Sequence, residues 1–543
     1  MKQNKSSIKL NAKFISVVLI IIIIAIVFLI FTRMNWNKDK IQPDIATFLI
    51  DIDTNSVTPL IKELYGFNSN MMSGDYGYLD DDFITLTSTL HPQSLRFPGG
   101  TVGNFYHWKD SGFYENEMGT TLSTQLNKRN KGNFNKLRKK RNGRISFDDY
   151  MALCKRLNIT PIIVVNLWTG SPSESAEWVR YALEKGYNIR HWELGNEYYL
   201  THYKNKYPTA DSYIKEARKH ATAMKAVDPT IKLSICVTPV AFHEEGFLIK
   251  TGQRKWDKQL SEKHAETSTD WFDAFSVHVY AYKAMKDVPI KEMGRYLYGW
   301  IHYGIPKAMD YYEELFPNKD MWITEWNIAN PANRVANTQL HALYAGDFFL
   351  KLLSFPKITQ ANFHVITGPG KGFPVFSPIT PASTRTFWKY GGEPESDFGI
   401  TIRRTVYSTF QLIGETVKQS DTLFSITLND LPQFRGGLDY KASYIPYINT
   451  QAIGNNQYVY LLICNRFDQD LRSNITIDGR RIKKPILYRF ISDNKLNATN
   501  GGNAELEGSG MIEVKIQEWN GKVDEFRIPK NSFGVLRILN IKN

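Results

Sequence analysis

Cysteine is scarce in this chain: Cys154, Cys236 and Cys464 are the three among 543 residues. None has cysteine or histidine partners at zinc-ligand spacing, which excludes a structural zinc site and leaves buried free thiols as the expectation. No phosphate-binding glycine loop is present, so neither a cofactor nor a metal is assigned. Internal repeats and long low-complexity tracts are also lacking, which excludes repeat architectures. With 42% apolar and 13% aromatic residues, the chain can bury one large core and a smaller second one. Charge of one sign is in excess, but only locally. Residues 1–40 hold +6 and residues 128–144 hold +9 of the formal +13, leaving −2 on the rest. A nearly neutral body argues against nucleic acid as a partner. The run at 128–144 reads as a solvated loop or as a polyanion contact that salt would weaken.

Long apolar runs are confined to one place. Residues 14–31 contain Ser16 as their only clearly polar member, with Lys2, Lys5, Lys9 and Lys13 before them and Arg33 after. That length lies near the minimum for spanning a bilayer. A cleaved signal would have a shorter apolar core and a small-residue site after it, whereas Thr32-Arg33-Met34-Asn35-Trp36 follows here. The lysine bias predicts a cytoplasmic tail at 1–13, a transmembrane anchor at 14–32, a linker at 33–44 and a body outside the cytoplasm. Secretion after signal cleavage is the alternative.

Past the anchor, short buried strands and amphipathic helices take turns. Strands are expected at 64–68, 94–97, 160–167, 189–197, 231–238, 272–280, 321–327 and 358–366, with helices from a Ser146 cap through Leu157 and at 173–185, 210–227, 295–315, 337–354 and 402–418. Eight strands in β-then-α order predict an α/β fold, a (β/α)8 TIM barrel over 61–420. Residues 421–543 change to short alternating runs between Asn, Gly and Asp turns. They predict a C-terminal β-sandwich that borrows a strand from 45–60, a segment with no helix after it.

Two strands end in glutamate. Trp192-Glu193-Leu194-Gly195-Asn196-Glu197 closes the fourth, and Met321-Trp322-Ile323-Thr324-Glu325-Trp326-Asn327 carries the seventh. Strand C-terminal ends form the mouth of a barrel, where its chemistry sits. A carboxylate pair there suits glycoside hydrolysis, one group protonating the leaving oxygen while the other attacks the anomeric carbon. Glu197 is the candidate acid/base and Glu325 the candidate nucleophile. Arg96 on the second strand can keep Glu325 ionised through a charge-assisted hydrogen bond. Asn166, Asn196, His278, Tyr280 and Trp326 complete the expected substrate-binding set, while Glu193 is read as structural.

The same residues carry a family resemblance. The stretches 192–197, 323–327 and Leu95-Arg96-Phe97-Pro98-Gly99-Gly100 resemble the signature strands of the clan A glycoside hydrolases. Over residues 45–540 the chain looks most like the family 51 α-L-arabinofuranosidases, with kinship to families 39 and 79. The resemblance implies a retaining mechanism, with Glu197 as acid/base and Glu325 as nucleophile, acting on a cell-wall or extracellular carbohydrate. It departs after the first strand, where Gly66-Phe67-Asn68-Ser69-Asn70 lacks the glutamate with which family 51 enzymes bind arabinose. Two alternatives stand beside it: a uronidase or endo-glycanase on an acidic polysaccharide, and a non-catalytic carbohydrate-binding membrane protein.

Overall fold

The computed structural model describes residues 47–69, 76–109, 146–243, 246–247, 251–266, 270–281, 290–328, 335–367, 374–378, 401–429, 431–436, 443–482, 486–493, 496, 516–523 and 526–540. The span expected at 14–32 and the basic run at 128–144 lie outside the described residues. Among the described residues, no helix is long and apolar enough to cross a membrane.

After a first strand, β1 (Thr47–Pro59), eight parallel strands close into a barrel. They are β2 (Gly66–Asn68), β3 (Ser94–Phe97), β4 (Thr160–Val164), β5 (His191–Glu193), β6 (Lys232–Cys236), β7 (Ala274–Ala281), β8 (Asp320–Ile328) and β9 (Ile358–Phe363). Each pairs with the next, and β9 returns to β2 with Asn362 opposite Gly66 and Phe363 opposite Phe67. Between the strands run α1 (Asp81–Leu90), α2 (Phe147–Leu157), α3 (Pro172–Glu184), α4 (Ala210–Val227), α5 (Thr251–Ala265), α6 (Ile290–Gly299), α7 (Ile305–Leu315) and α8 (Gln339–Leu352), and α9 (Thr405–Gln419) follows β9. Four helices start on a side chain that accepts a backbone N–H of the first turn: Ser146, Ser171, Thr209 and Thr338. Each cap satisfies a donor that the helix itself leaves open.

Some expected elements changed shape. The strand foreseen at 189–197 keeps only His191–Glu193, because Gly195 and Glu197 take left-handed φ of 87° and 53° and turn the chain out of the sheet. The helix foreseen at 295–315 is split by a wider turn at Trp300–Gly304. Pro306 has no N–H to give to the preceding turn, so the regular ladder cannot run through it. Two helices were not foreseen. In α1 the buried stripe of Phe83, Leu86, Thr87 and Leu90 is short and broken up by threonine, and α5 carries charge around much of its surface, so neither stood out in the sequence.

The C-terminal strands, expected as a β-sandwich, form a strand-rich region hydrogen-bonded into one ten-stranded sheet. It contains β10 (Thr422–Asn429), β11 (Ile448–Gly454), β12 (Tyr458–Asn465), β13 (Leu471–Ile477), β14 (Ile486–Ser492), β15 (Gln517–Gly521) and β16 (Ser532–Leu539). The strand β1 lies in it, antiparallel to β10, with Ile52 opposite Ile426. Alternation sorts β12 between two cores: Tyr460, Leu462 and Cys464 join the barrel side, while Val459, Leu461 and Ile463 join a second cluster with Phe48, Ile50 and Ile52 of β1. Each fully buried aliphatic side chain of this kind contributes about 1.5–3 kcal/mol. A buried ion pair crosses the junction, from Asp347 of α8 to Arg466 just beyond β12, at 3.0 Å.

Candidate active site

The mouth gathers residues from five strand ends. On β3, Arg96 points inward and is completely buried. Its Nε donates to Glu193 Oε1 at 2.6 Å, and its Nη2 donates to Glu193 Oε2 at 3.1 Å and to Asn196 Oδ1 at 2.9 Å. The remaining nitrogen, Nη1, donates to Glu325 Oε1 at 2.8 Å. Burial alone would weaken the arginine's hold on its proton, but Glu193 and then Glu325 outweigh it and raise its pKa. The guanidinium is therefore a permanent cation shared by two carboxylates.

Glu325 reaches this place through a bulge. Ile323 pairs with Val277 and Glu325 with His278, so Thr324 has no partner of its own in that register. Such a bulge re-aims the following side chain. Room for the carboxylate comes from Gly100, where a Cβ would stand 2.4 Å from Glu325 Oε1. Tyr280 donates its hydroxyl to Glu325 Oε2 at 2.6 Å. On the same side, His278 Nδ1 lies 3.6 Å and His364 Nδ1 3.9 Å from that oxygen. Burial would raise the Glu325 pKa, yet the charges of His278, His364 and Arg96 and the Tyr280 hydroxyl overcome it and hold the carboxyl well below its usual range. The converse acts on His278. Burial would lower the His278 pKa, but Glu325 and Glu197 raise it.

Glu197 sits on the turn after β5, with 22% of its side chain exposed. Its left-handed φ costs on the order of 1 kcal/mol, which the surroundings must supply. They do so by clamping the turn: the Asn104 side chain donates to Asn196 O at 2.7 Å and accepts from Asn196 N at 2.9 Å. Tyr213 donates to Leu194 O at 2.8 Å, and the Cys236 thiol to Gly195 O at 3.0 Å. Among the described residues, the side-chain contacts of Glu197 fall on Oε1, from Tyr199 at 3.0 Å and His278 Nδ1 at 2.8 Å. One oxygen of Glu197, one of Glu325 and a ring nitrogen of His278 all lie within 4.8 Å of one another. That triad has the spacing to hold a cation, but a cation there would face the Arg96 charge already bound to Glu325.

The cluster thus unites Glu197, Glu325, Arg96, Asn196, His278 and Tyr280. It leaves out Asn166 and Trp326. The carboxamide oxygen of Asn166 accepts from Trp168 N and Thr169 N at 3.0 Å each, so this side chain is committed to its own turn. Trp326 lies on the opposite face of β8 from Glu325, 2% exposed and stacked on Phe348 of α8 at 4.5 Å. Its place beside a catalytic candidate was misleading because adjacent strand residues face opposite ways. Four members lie outside the expected substrate-binding set: Tyr199, His364, Gly100 and Glu193, the last read as structural and found buried against Arg96. Only Glu193 left a signal, since it shares the alternation parity of Glu197.

This geometry, a closed barrel with two glutamates at its mouth and an arginine behind one of them, can be set beside known proteins. No protein-family model matches the chain. Its fold is shared by solved glycoside hydrolases. The arabinose complex of an α-L-arabinofuranosidase from Thermotoga maritima superposes with a TM-score of 0.63 at 17% identity, covering 91% of this chain and 100% of that one. A family 44 xyloglucanase from Paenibacillus polymyxa gives 0.55 at 11%, with the same coverage. In sequence the chain is similar to α-L-arabinofuranosidase C of Emericella nidulans, 24% identical over 240 residues that make up 39% of this chain and 42% of that protein. A probable α-L-arabinofuranosidase C of Aspergillus terreus is 23% identical over 525 residues, 86% of this chain and 90% of that protein. In the former match the chain spans about two fifths of its relative's length. Both comparisons agree with the resemblance carried by the signature strands: the chain is related to the clan A glycoside hydrolases, on the side of family 51.

Proposed function

We propose that this protein is a retaining glycoside hydrolase of the α-L-arabinofuranosidase kind, in which Glu325 attacks the anomeric carbon and Glu197 serves first as acid and then as base. The observation that carries the proposal is the unequal dressing of two carboxylates whose oxygens approach within 4.8 Å. That separation suits retaining enzymes, whose carboxyls stand about 5 Å apart, rather than inverting ones, which need room for a water. Glu325 is held as an anion by Arg96 and Tyr280. Among the described residues the contacts of Glu197 leave Oε2 free for the leaving oxygen.

The sugar follows from the relatives and from Arg96. This guanidinium already gives four hydrogen bonds to Glu193, Asn196 and Glu325. A uronic acid carboxylate would not find it available, which favours a neutral sugar over the uronidase alternative. Release from nitrophenyl α-L-arabinofuranoside, β-xyloside, β-glucuronide and β-glucoside tests the assignment. A dominant arabinofuranoside signal with net retention of the first-formed anomer supports it, and a dominant glucuronide signal or net inversion overturns it. We also propose that the 14–32 segment anchors the body outside the cytoplasm. Membrane fractionation with protease protection tests that placement.

A further inference from the structure

A third carboxylate lies behind the pair, and the reaction as proposed does not use it. Glu193 is 1% exposed and grips Arg96 with both oxygens, at 2.6 and 3.1 Å. Arg96 is fully buried and lies between Glu193 and Glu325. We infer that Glu193 is a positioning residue that keeps Arg96 paired and oriented while Glu325 gives up its charge to the covalent intermediate. This inference rests on the hydrolase reading above.

The charges make the need plain. In the first half-reaction a Glu325 oxygen forms a bond to the anomeric carbon as the glycosidic carbon–oxygen bond breaks. The bond's electron pair leaves with the departing oxygen, which takes the proton of Glu197. Glu325 is now a neutral ester, and its charge no longer faces Arg96. A buried guanidinium without a counter-charge is strongly unfavourable. Glu193 supplies that counter-charge through the whole cycle, so forming the ester does not strand a cation. In the second half-reaction water attacks the anomeric carbon, Glu197 takes its proton, and the regenerated Glu325 anion returns to Arg96. That step restores an ion pair and has less need of Glu193.

Removal of Glu193 should therefore separate the two half-reactions. In Glu193→Gln, pre-steady-state turnover of a dinitrophenyl glycoside should show glycosylation slowed about 10–100-fold, the scale of one charge-assisted hydrogen bond, while deglycosylation stays within about twofold. The product burst should shrink accordingly, and Glu193→Asp should restore part of it. Equal slowing of both steps, or an undiminished burst, would overturn the inference. A second test needs no substrate. Each of Glu193→Gln and Glu325→Gln leaves Arg96 one carboxylate, whereas the double variant leaves none. The double variant should thus lose more Tm than the two single losses added together, and simple additivity would contradict the role. If the wild-type protein hydrolyses no glycoside, the hydrolase reading fails, while the melting cycle still judges the pairing of Arg96 on its own.

Discussion

The molecule contains two clusters built from the same parts, an arginine, a carboxylate and a histidine, and they do opposite things. At the junction between barrel and sheet, Asp347 accepts from Arg466 at 3.0 Å, from His302 at 3.0 Å and from Asn449 at 2.8 Å, with both members of the ion pair completely buried. Both oxygens are occupied and nothing remains for a ligand. At the barrel mouth, Glu325 has one oxygen on Arg96 and the other on Tyr280, and it faces a partly exposed Glu197 and His278. The histidines report the difference. Burial and then Arg466 push His302 down to about 4. His278 is just as enclosed, but two carboxylates face it and raise its pKa instead. A saturated cluster is a fastener, and one with an unfilled side can do chemistry.

Breaking each cluster should therefore damage a different property. Glu325→Gln should reduce kcat on the order of 10⁴-fold or more, as loss of a nucleophile does, while circular dichroism and Tm change little because Glu193 still pairs Arg96. Asp347→Asn should do the reverse. Stripping the partner from buried Arg466 costs about 3–5 kcal/mol, a Tm loss of about 3–5 °C in a unit this large, with kcat of the folded fraction preserved. A smaller effect is expected from Tyr280→Phe, which removes one donor to Glu325 and should cost about 10²-fold in kcat. Burial pushes Glu325 up and Tyr280 is among the groups holding it down, so the acid limb of kcat/KM should move to higher pH in this variant. The smallest effect concerns acid stability. Burial would raise the Asp347 pKa, but Arg466 and His302 overcome it and depress the folded value. Its contribution to stability is thus fully present above the unfolded carboxylate value of about 3.9 and is lost as pH falls through the folded value. A plot of Tm against pH should fall less steeply below about pH 4 in Asp347→Asn than in the wild type.

The sequence made the barrel legible because its strands are covered on both faces. Runs such as Ile162-Ile163-Val164 stay apolar without alternation and stand out between capped helices. The two reacting candidates were legible for a similar reason, since a glutamate ending an apolar strand is costly anywhere except at a mouth or a cap. Partners set by irregular backbone were not. The Thr324 bulge, the left-handed turn at Glu197 and the approach of Gly100 to Glu325 leave no periodic trace. His364 follows β9, the strand hydrogen-bonded beside β8, and comes within 3.9 Å of Glu325, a meeting between residues 39 apart in sequence that no local pattern encodes. Glu193 was visible as an inward-pointing residue and read as structural, but its partner Arg96 was not, because parity shows which way a side chain points and not what it meets there.

The central claim is that Glu325 forms the bond to the sugar. The most direct measurement is to incubate the protein with an activated 2-fluoro arabinofuranoside, which slows release of the intermediate, then digest it and locate the added mass by peptide sequencing in a mass spectrometer. A single glycosyl adduct on Glu325, absent from Glu325→Gln, is the predicted result. An adduct on Glu197 or Glu193, or turnover of the parent arabinofuranoside with no adduct at all, would contradict the account.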